Sequence, residues 1–147
     1  MGYDARVYIM FGIKLLERNK FANLDDYINY TDNLLLKLCN YSEDTNTDDI
    51  LEDMWDKVSG GYDIPNTNYQ IVQCAIYDDD QGTYICLKWY SHQVIRNNDE
   101  PKRIIPPSQE EINEFIAFIS NIGIDIGNQS NELGTHEYGI YVAISGG

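Results

Sequence analysis

From Ala5 to Ile13 apolar and polar positions alternate, with Val7, Ile9 and Phe11 on one side and Arg6, Tyr8 and Met10 on the other. A period of two is that of a strand, and Gly12 within it predicts a bulge or a close backbone approach. The period then lengthens. Leu24, Tyr27, Ile28, Thr31, Leu34, Leu35 and Leu38 recur at helical spacing, which predicts an amphipathic helix from Leu24 to about Cys39. Asn23 is placed to cap it, with Asp26 at the third position, and Asp25 and Asp26 suit the positive end of the helix dipole. A second, short helix is predicted after Thr47. Ile50, Leu51, Met54, Trp55 and Val58 form its apolar stripe, and Ser59-Gly60-Gly61 ends it.

The stretch from Tyr69 to Tyr90 reads as a β-hairpin. Matching its apolar faces pairs Ile76 with Ile85, Cys74 with Leu87 and Val72 with Trp89, and leaves Asp78-Asp79-Asp80-Gln81-Gly82 as an exposed turn. That register also opposes Gln73 to Lys88 and Tyr77 to Tyr84, and forms no Cys74–Cys86 disulfide. A long connection with Pro101, Pro106 and Pro107 leads to Ser108, which with Glu111 makes a capping box for a helix lined by Ile112, Phe115, Ile116 and Ile119. Ile122, Ile124 and Ile126 predict a short strand or an apolar loop tucked against the core. A last strand is expected from about Glu137 to Ile144, with Ile140, Val142 and Ile144 facing one way.

With the short helix taken as an insertion, the succession is βαββαβ, the ferredoxin-like order. The expected fold is a single compact α+β domain over residues 1–147, a mostly antiparallel sheet with helices on one face. The other face carries the tyrosines and is expected to be partly open, as a docking surface.

Charge narrows the function. The chain has 24 Asp and Glu against 10 Lys and Arg, a net charge of −14. Free nucleic acid and anionic membrane surfaces repel such a chain, and a basic protein surface attracts it. The segment from Phe21 to Asp63 holds eleven acids against Lys37 and Lys57, a net −9. A hydrophobic content of 43% with 12% aromatics excludes an acidic disordered tail. Cys39, Cys74 and Cys86 make an odd number without close pairs. The apolar N-terminal run is broken by Arg6 and Lys14 and is too short to span a bilayer. These features predict a reduced, cytoplasmic protein without a membrane partner.

Candidate chemistry is sparse. Calcium loops begun at Asp44 or Asp78 place Asp49 or Thr83 where glycine is needed, and Trp55 or Trp89 where the bidentate Glu is needed. No CxxC or HxxxH spacing suggests zinc, and no nucleophile or phosphate-loop motif is present. No catalytic residue, metal ligand or cofactor site is assigned. Tyr8, Tyr77, Tyr84 and Tyr90 are possible stacking rings for RNA, but Arg6, Lys88 and the bases between Arg96 and Arg103 are too few to hold its phosphates.

The expected function is therefore that of a small acidic protein-binding or regulatory protein. Asp25, Asp26, Asp32, Asp48, Asp49, Glu52, Asp53 and Asp56 supply the charge, and Tyr77 and Tyr84 act as exposed anchors on a partner with a basic surface, itself a candidate nucleic-acid-binding protein. One alternative is a DNA mimic of the kind viral inhibitors use against host defence. The other is a small enzyme with a site around His92 and His136, with Asp125 and Glu137 nearby.

Overall fold

The computed structural model describes residues 5–39, 61–76, 79–93, 103–124 and 136–146. Strand β1 runs over Ala5–Lys14, a short 3-10 turn over Arg18–Lys20 and helix α1 over Leu24–Cys39. Strands β2 (Tyr62–Asp63), β3 (Gln70–Ile76) and β4 (Asp79–Gln93) precede helix α2 (Gln109–Asn121) and strand β5 (Tyr138–Gly146). The sheet order is β2-β3-β4-β1-β5, and each neighbouring pair in that order is antiparallel. The four long strands and the two helices thus follow the βαββαβ succession within an α+β domain, with β2 added at one edge. The short helix expected around residues 47–58 lies outside the described residues.

Local signals place both helices. The Asp26 backbone N–H donates to Asn23 Oδ1 at 2.9 Å. Ahead of α2, Glu111 N–H donates to Ser108 Oγ at 3.2 Å, and Ser108 N–H donates back to the Glu111 carboxylate at 3.0 Å. The two bonds satisfy donors that a helix start otherwise leaves open. Lys88 Nζ also reaches the Glu111 carboxylate, at 3.2 Å, tying α2 to β4. These groups, the Ser108 backbone N–H first, hold the Glu111 carboxyl below the usual range.

Phe115 and Ile119 of α2 and Leu34 and Leu38 of α1 pack on Ile13, Ile71, Ile85 and Leu87 of the sheet, with Ile64 and Ile124 closing the rim. Ile124 is thus tucked against the core, while Ile126 of the same expected segment lies outside the described residues. On α1 the buried side differs from the expected stripe. Leu24 and Ile28 are exposed. Phe21 sits at 5.5 Å from the ring of Tyr27 and 5.1 Å from that of Tyr30, turning the packed side toward Tyr27, Tyr30, Leu34 and Leu38.

The larger correction concerns the opposite face. The sheet curls until Ile76 of β3 bridges Gly146 of β5, and the Ala75 N–H donates to Ser145 Oγ at 3.4 Å. The face away from the helices thereby closes around a second core of Tyr8, Met10, Val72, Cys74, Tyr84, Cys86 and Ala143. Tyr8 and Tyr84 are only 8% and 4% exposed, so the tyrosine face is shut and Tyr84 is no surface anchor. Both cysteines are buried free thiols, and burial pushes the Cys86 thiol well up.

Hairpin register explains the difference. Ile71 pairs with Ile85, Val72 with Tyr84, Gln73 with Thr83 and Cys74 with Gly82, in place of the expected partners. A register shift between Cys74 and Ala75 then brings Ile76 level with Asp79, so Asp79–Gln81 belong to β4 rather than to an exposed turn. Both alternations of this hairpin are apolar, and each fills its own core. The first half of β4 pairs with β3 and the second half with β1.

Gly12 marks a second shift, opposite Cys86. A Cβ there would lie 2.0 Å from the Ile85 carbonyl oxygen and 2.9 Å from the Cys86 Cα, both backbone atoms of β4. Gly139, level with Gly12 on β5, has nothing within 4 Å of an added Cβ. Gly12→Ala is expected to lower the unfolding free energy by about 3 kcal/mol, because backbone yields poorly to overpacking. Gly139→Ala is expected to stay within about 0.5 kcal/mol of the parent. Urea unfolding of the two variants beside the parent checks both values.

Candidate protein-binding surface

Tyr138 lies level with Ile13, and both belong to the helix-side core. Side chains two apart on a strand share a face, and the β1–β5 register is unbroken. Ile140, Val142 and Ile144 therefore continue along the helix side. Among the described residues, α2 reaches only the Tyr138 end, where the rings of Phe115 and Tyr138 stand 5.8 Å apart. Past that point Ile140, Val142 and Ile144 are 66%, 65% and 43% exposed.

The strip broadens inward. Phe11, Ile9 and Val7 of β1 are level with Ile140, Val142 and Ile144, and Ile9 and Val7 are half-buried. On β4, Tyr90 is level with Ile9; its ring meets Phe11 edge-on at 6.2 Å, and its hydroxyl donates to the Ile105 carbonyl at 3.3 Å. The Ile105 side chain is itself exposed. Ile140, Val142 and Ile144 thus form an exposed aliphatic strip along this rim of the sheet.

Charge borders the strip without entering it. β5 reads YGIYVAISG and holds no ionisable group other than its two tyrosines. Glu137, exposed, stands immediately before it. Asp79, also exposed, is level with Ile76, which bridges Gly146 at the other end. Lys88 on β4 is held by Glu111.

Of the residues singled out by charge, Asp25 and Asp26 are exposed on the first turn of α1 and Asp32 is half-buried on the same helix. Asp48, Asp49, Glu52, Asp53, Asp56 and Tyr77 lie outside the described residues. The β5 strip was not singled out in the sequence. Its signal was the aliphatic alternation of Ile140, Val142 and Ile144.

The two histidines do not meet. His92 is level with Val7, and Val7 with Ile144. His136 lies eight residues before Ile144, beyond the other end of β5, so the backbone positions of the two histidines stand more than about 20 Å apart. His136 is 6% exposed and stacks on Tyr30. Leu16 N–H donates to the Tyr30 hydroxyl oxygen at 3.2 Å, and that hydroxyl lies 2.7 Å from His136 Nε2. The Tyr30 oxygen thus bridges the Leu16 backbone N–H and the His136 ring. The pair joins α1 to the start of β5 across residues 106 apart, a structural tie.

Beside that tie lies a cleft of about 390 Å³ lined by Lys14, Leu15, Leu16, Glu17, Lys20, Glu137 and Tyr141. Lys14 pairs with Glu17 there, and Tyr141 donates to the Glu137 carbonyl at 2.6 Å. Among the described residues no group of three or more His, Cys, Asp or Glu could hold a metal ion, and no helix is long and apolar enough to cross a membrane. No protein-family model, curated protein or solved structure matches this chain.

Burial, opposed by the Leu16 N–H, pushes the Tyr30 hydroxyl up to about 12. The folded chain therefore keeps this proton where an unfolded one has lost it. The resulting stabilisation is complete below about pH 10 and disappears as pH rises through about 12, a loss of about 2–3 kcal/mol. Tyr69, Tyr138, Tyr141 and Cys86 are also raised by burial and add to the decline. Urea unfolding between pH 9 and 12, at ~0.5 pH steps, is expected to show stability falling with pH. Tyr30→Phe should be less stable at neutral pH, through loss of the acceptor for Leu16, and should fall less steeply above pH 10.

Proposed function

We propose that this chain is a protein-binding or regulatory protein whose partner presents a basic surface. The observation that carries the reading is the uncovered aliphatic strip of Ile140, Val142 and Ile144 on a chain of net charge −14. Apolar contact supplies binding energy at such a strip, while the acidic field speeds encounter with a basic partner and disfavours acidic ones. Asp25 and Asp26, exposed at the start of α1, belong to that field.

The test is capture of a partner from native extract at low salt, followed by its purification and titration against the chain. A basic-surfaced partner is expected, its affinity falling about tenfold or more between low and high salt as the charges are screened. Asp25→Lys with Asp26→Lys should weaken binding a few-fold, mainly through slower association. A neutral or acidic partner, an affinity indifferent to salt and to charge reversal, or no retained protein would remove the reading.

A further inference from the structure

The two edges of the sheet are unlike. β2, at one edge, is two residues long and carries exposed Asp63. A short, charged edge of that kind discourages pairing with another chain. β5, at the other edge, is nine residues long, without a proline or a formal charge. Its inner side pairs with β1 along its whole length. On its outer side, the one strand bridge among the described residues is Ile76 to Gly146, at its very end. The backbone before that bridge lies beside the exposed side chains of Ile140, Val142 and Ile144. Before that bridge no strand among the described residues pairs with this side of β5, and the aliphatic strip lies next to it; strand addition draws affinity from such a backbone edge and specificity from such side chains.

The geometry points to the outer edge of β5 as the binding site for an extended segment of another protein, which adds to the sheet as a further strand. The segment would carry aliphatic side chains at alternate positions and Lys or Arg at both ends. This rests on the reading of the chain as a binder of basic partners and names where and how it binds. The alternation follows from Ile140, Val142 and Ile144, since every second residue of an added strand lies on their face. The basic ends follow from exposed Glu137 at the start of the edge and, across β3 from its finish, exposed Asp79 on β4. Arg6, level with Ser145, shares the alternation of Tyr8 and Met10 and so belongs to the opposite face.

A second copy of the chain fits this edge poorly. Two β5 strands set antiparallel about a two-fold axis bring the Glu137 end of each beside the Asp79 end of the other. Like charges then meet at both ends, and two chains of −14 are joined. A basic-ended segment reverses the sign of each of these contacts.

The probe is a labelled peptide of alternating Val and Thr with two Lys at each end, titrated against the full chain by fluorescence anisotropy. Two further peptides carry backbone N-methyl groups, one on every Val and the other on every Thr. An added strand points these two sets of N–H groups to opposite edges, so only one set meets β5. The unmodified peptide is expected to bind, one methylated peptide to lose about tenfold or more, and the other to stay within about twofold. Val142→Lys should also lose about tenfold or more; its side chain is largely solvent-facing, so the variant keeps its core. Glu137→Lys with Asp79→Lys should weaken binding at low salt and converge with the parent at high salt.

No binding of the unmodified peptide, or equal binding of both methylated peptides, overturns the proposal. So does a dimer of the free chain, seen by sedimentation equilibrium and split by Val142→Lys, since a second copy then holds the edge. A basic partner that binds Val142→Lys as well as the parent, yet is lost on Asp25→Lys with Asp26→Lys, also overturns it. In that last case the acidic field still binds a basic protein and the assignment to β5 alone falls.

Discussion

The backbone of β4 passes so close to Gly12 that a Cβ there would lie 2.0 Å from the Ile85 carbonyl oxygen. Only a residue without a side chain fits that approach without displacing main chain. The approach coincides with the shift of register that divides the β1–β4 pairing. On one side of the shift Ile13 and Ile85 are level and face the helices; on the other, Met10 is level with Trp89 on the inward face. With the second shift, between Cys74 and Ala75, it accompanies the change from a flat ladder to a curled one. A small domain that covers one sheet face with two helices can bury the other only by bending it onto itself, and here the bend meets at Ile76 and Gly146.

How far the fold could be read from the sequence follows from the range of each signal. Asn23 and the Ser108–Glu111 box act within one helical turn, and both caps form as expected. The alternation of β1 survives because the strand itself contains no extra residue. The hairpin register was not readable. Ile71, Val72 and Cys74 are all apolar, as are Tyr84, Ile85, Cys86 and Leu87, so the period of two offers two solutions and a bulge decides between them. Tyr84 was misplaced on the surface for the same reason.

The candidate surface was half visible. The shared face of Ile140, Val142 and Ile144 is written in their spacing. Their exposure is not, because it depends on how far along β5 the residues of α2 reach, a distance set by packing around Phe115. Charge points toward a basic partner through composition alone, but composition assigns no position. Of the carboxylates singled out, Asp25 and Asp26 stand exposed on α1, while the uncharged edge was found only once β5 had a place in the sheet.

The place of β1 has a consequence for synthesis. It lies inside the sheet, yet both of its neighbours, β4 and β5, come from the later parts of the chain. A chain emerging from the ribosome therefore presents an apolar strand with two unsatisfied edges well before either neighbour exists. Pairings of such long sequence separation make for slow folding and leave nascent chains open to association. The acidic stretch that follows β1 in the sequence would emerge soon after it, and its self-repulsion helps keep nascent chains apart until the sheet can close.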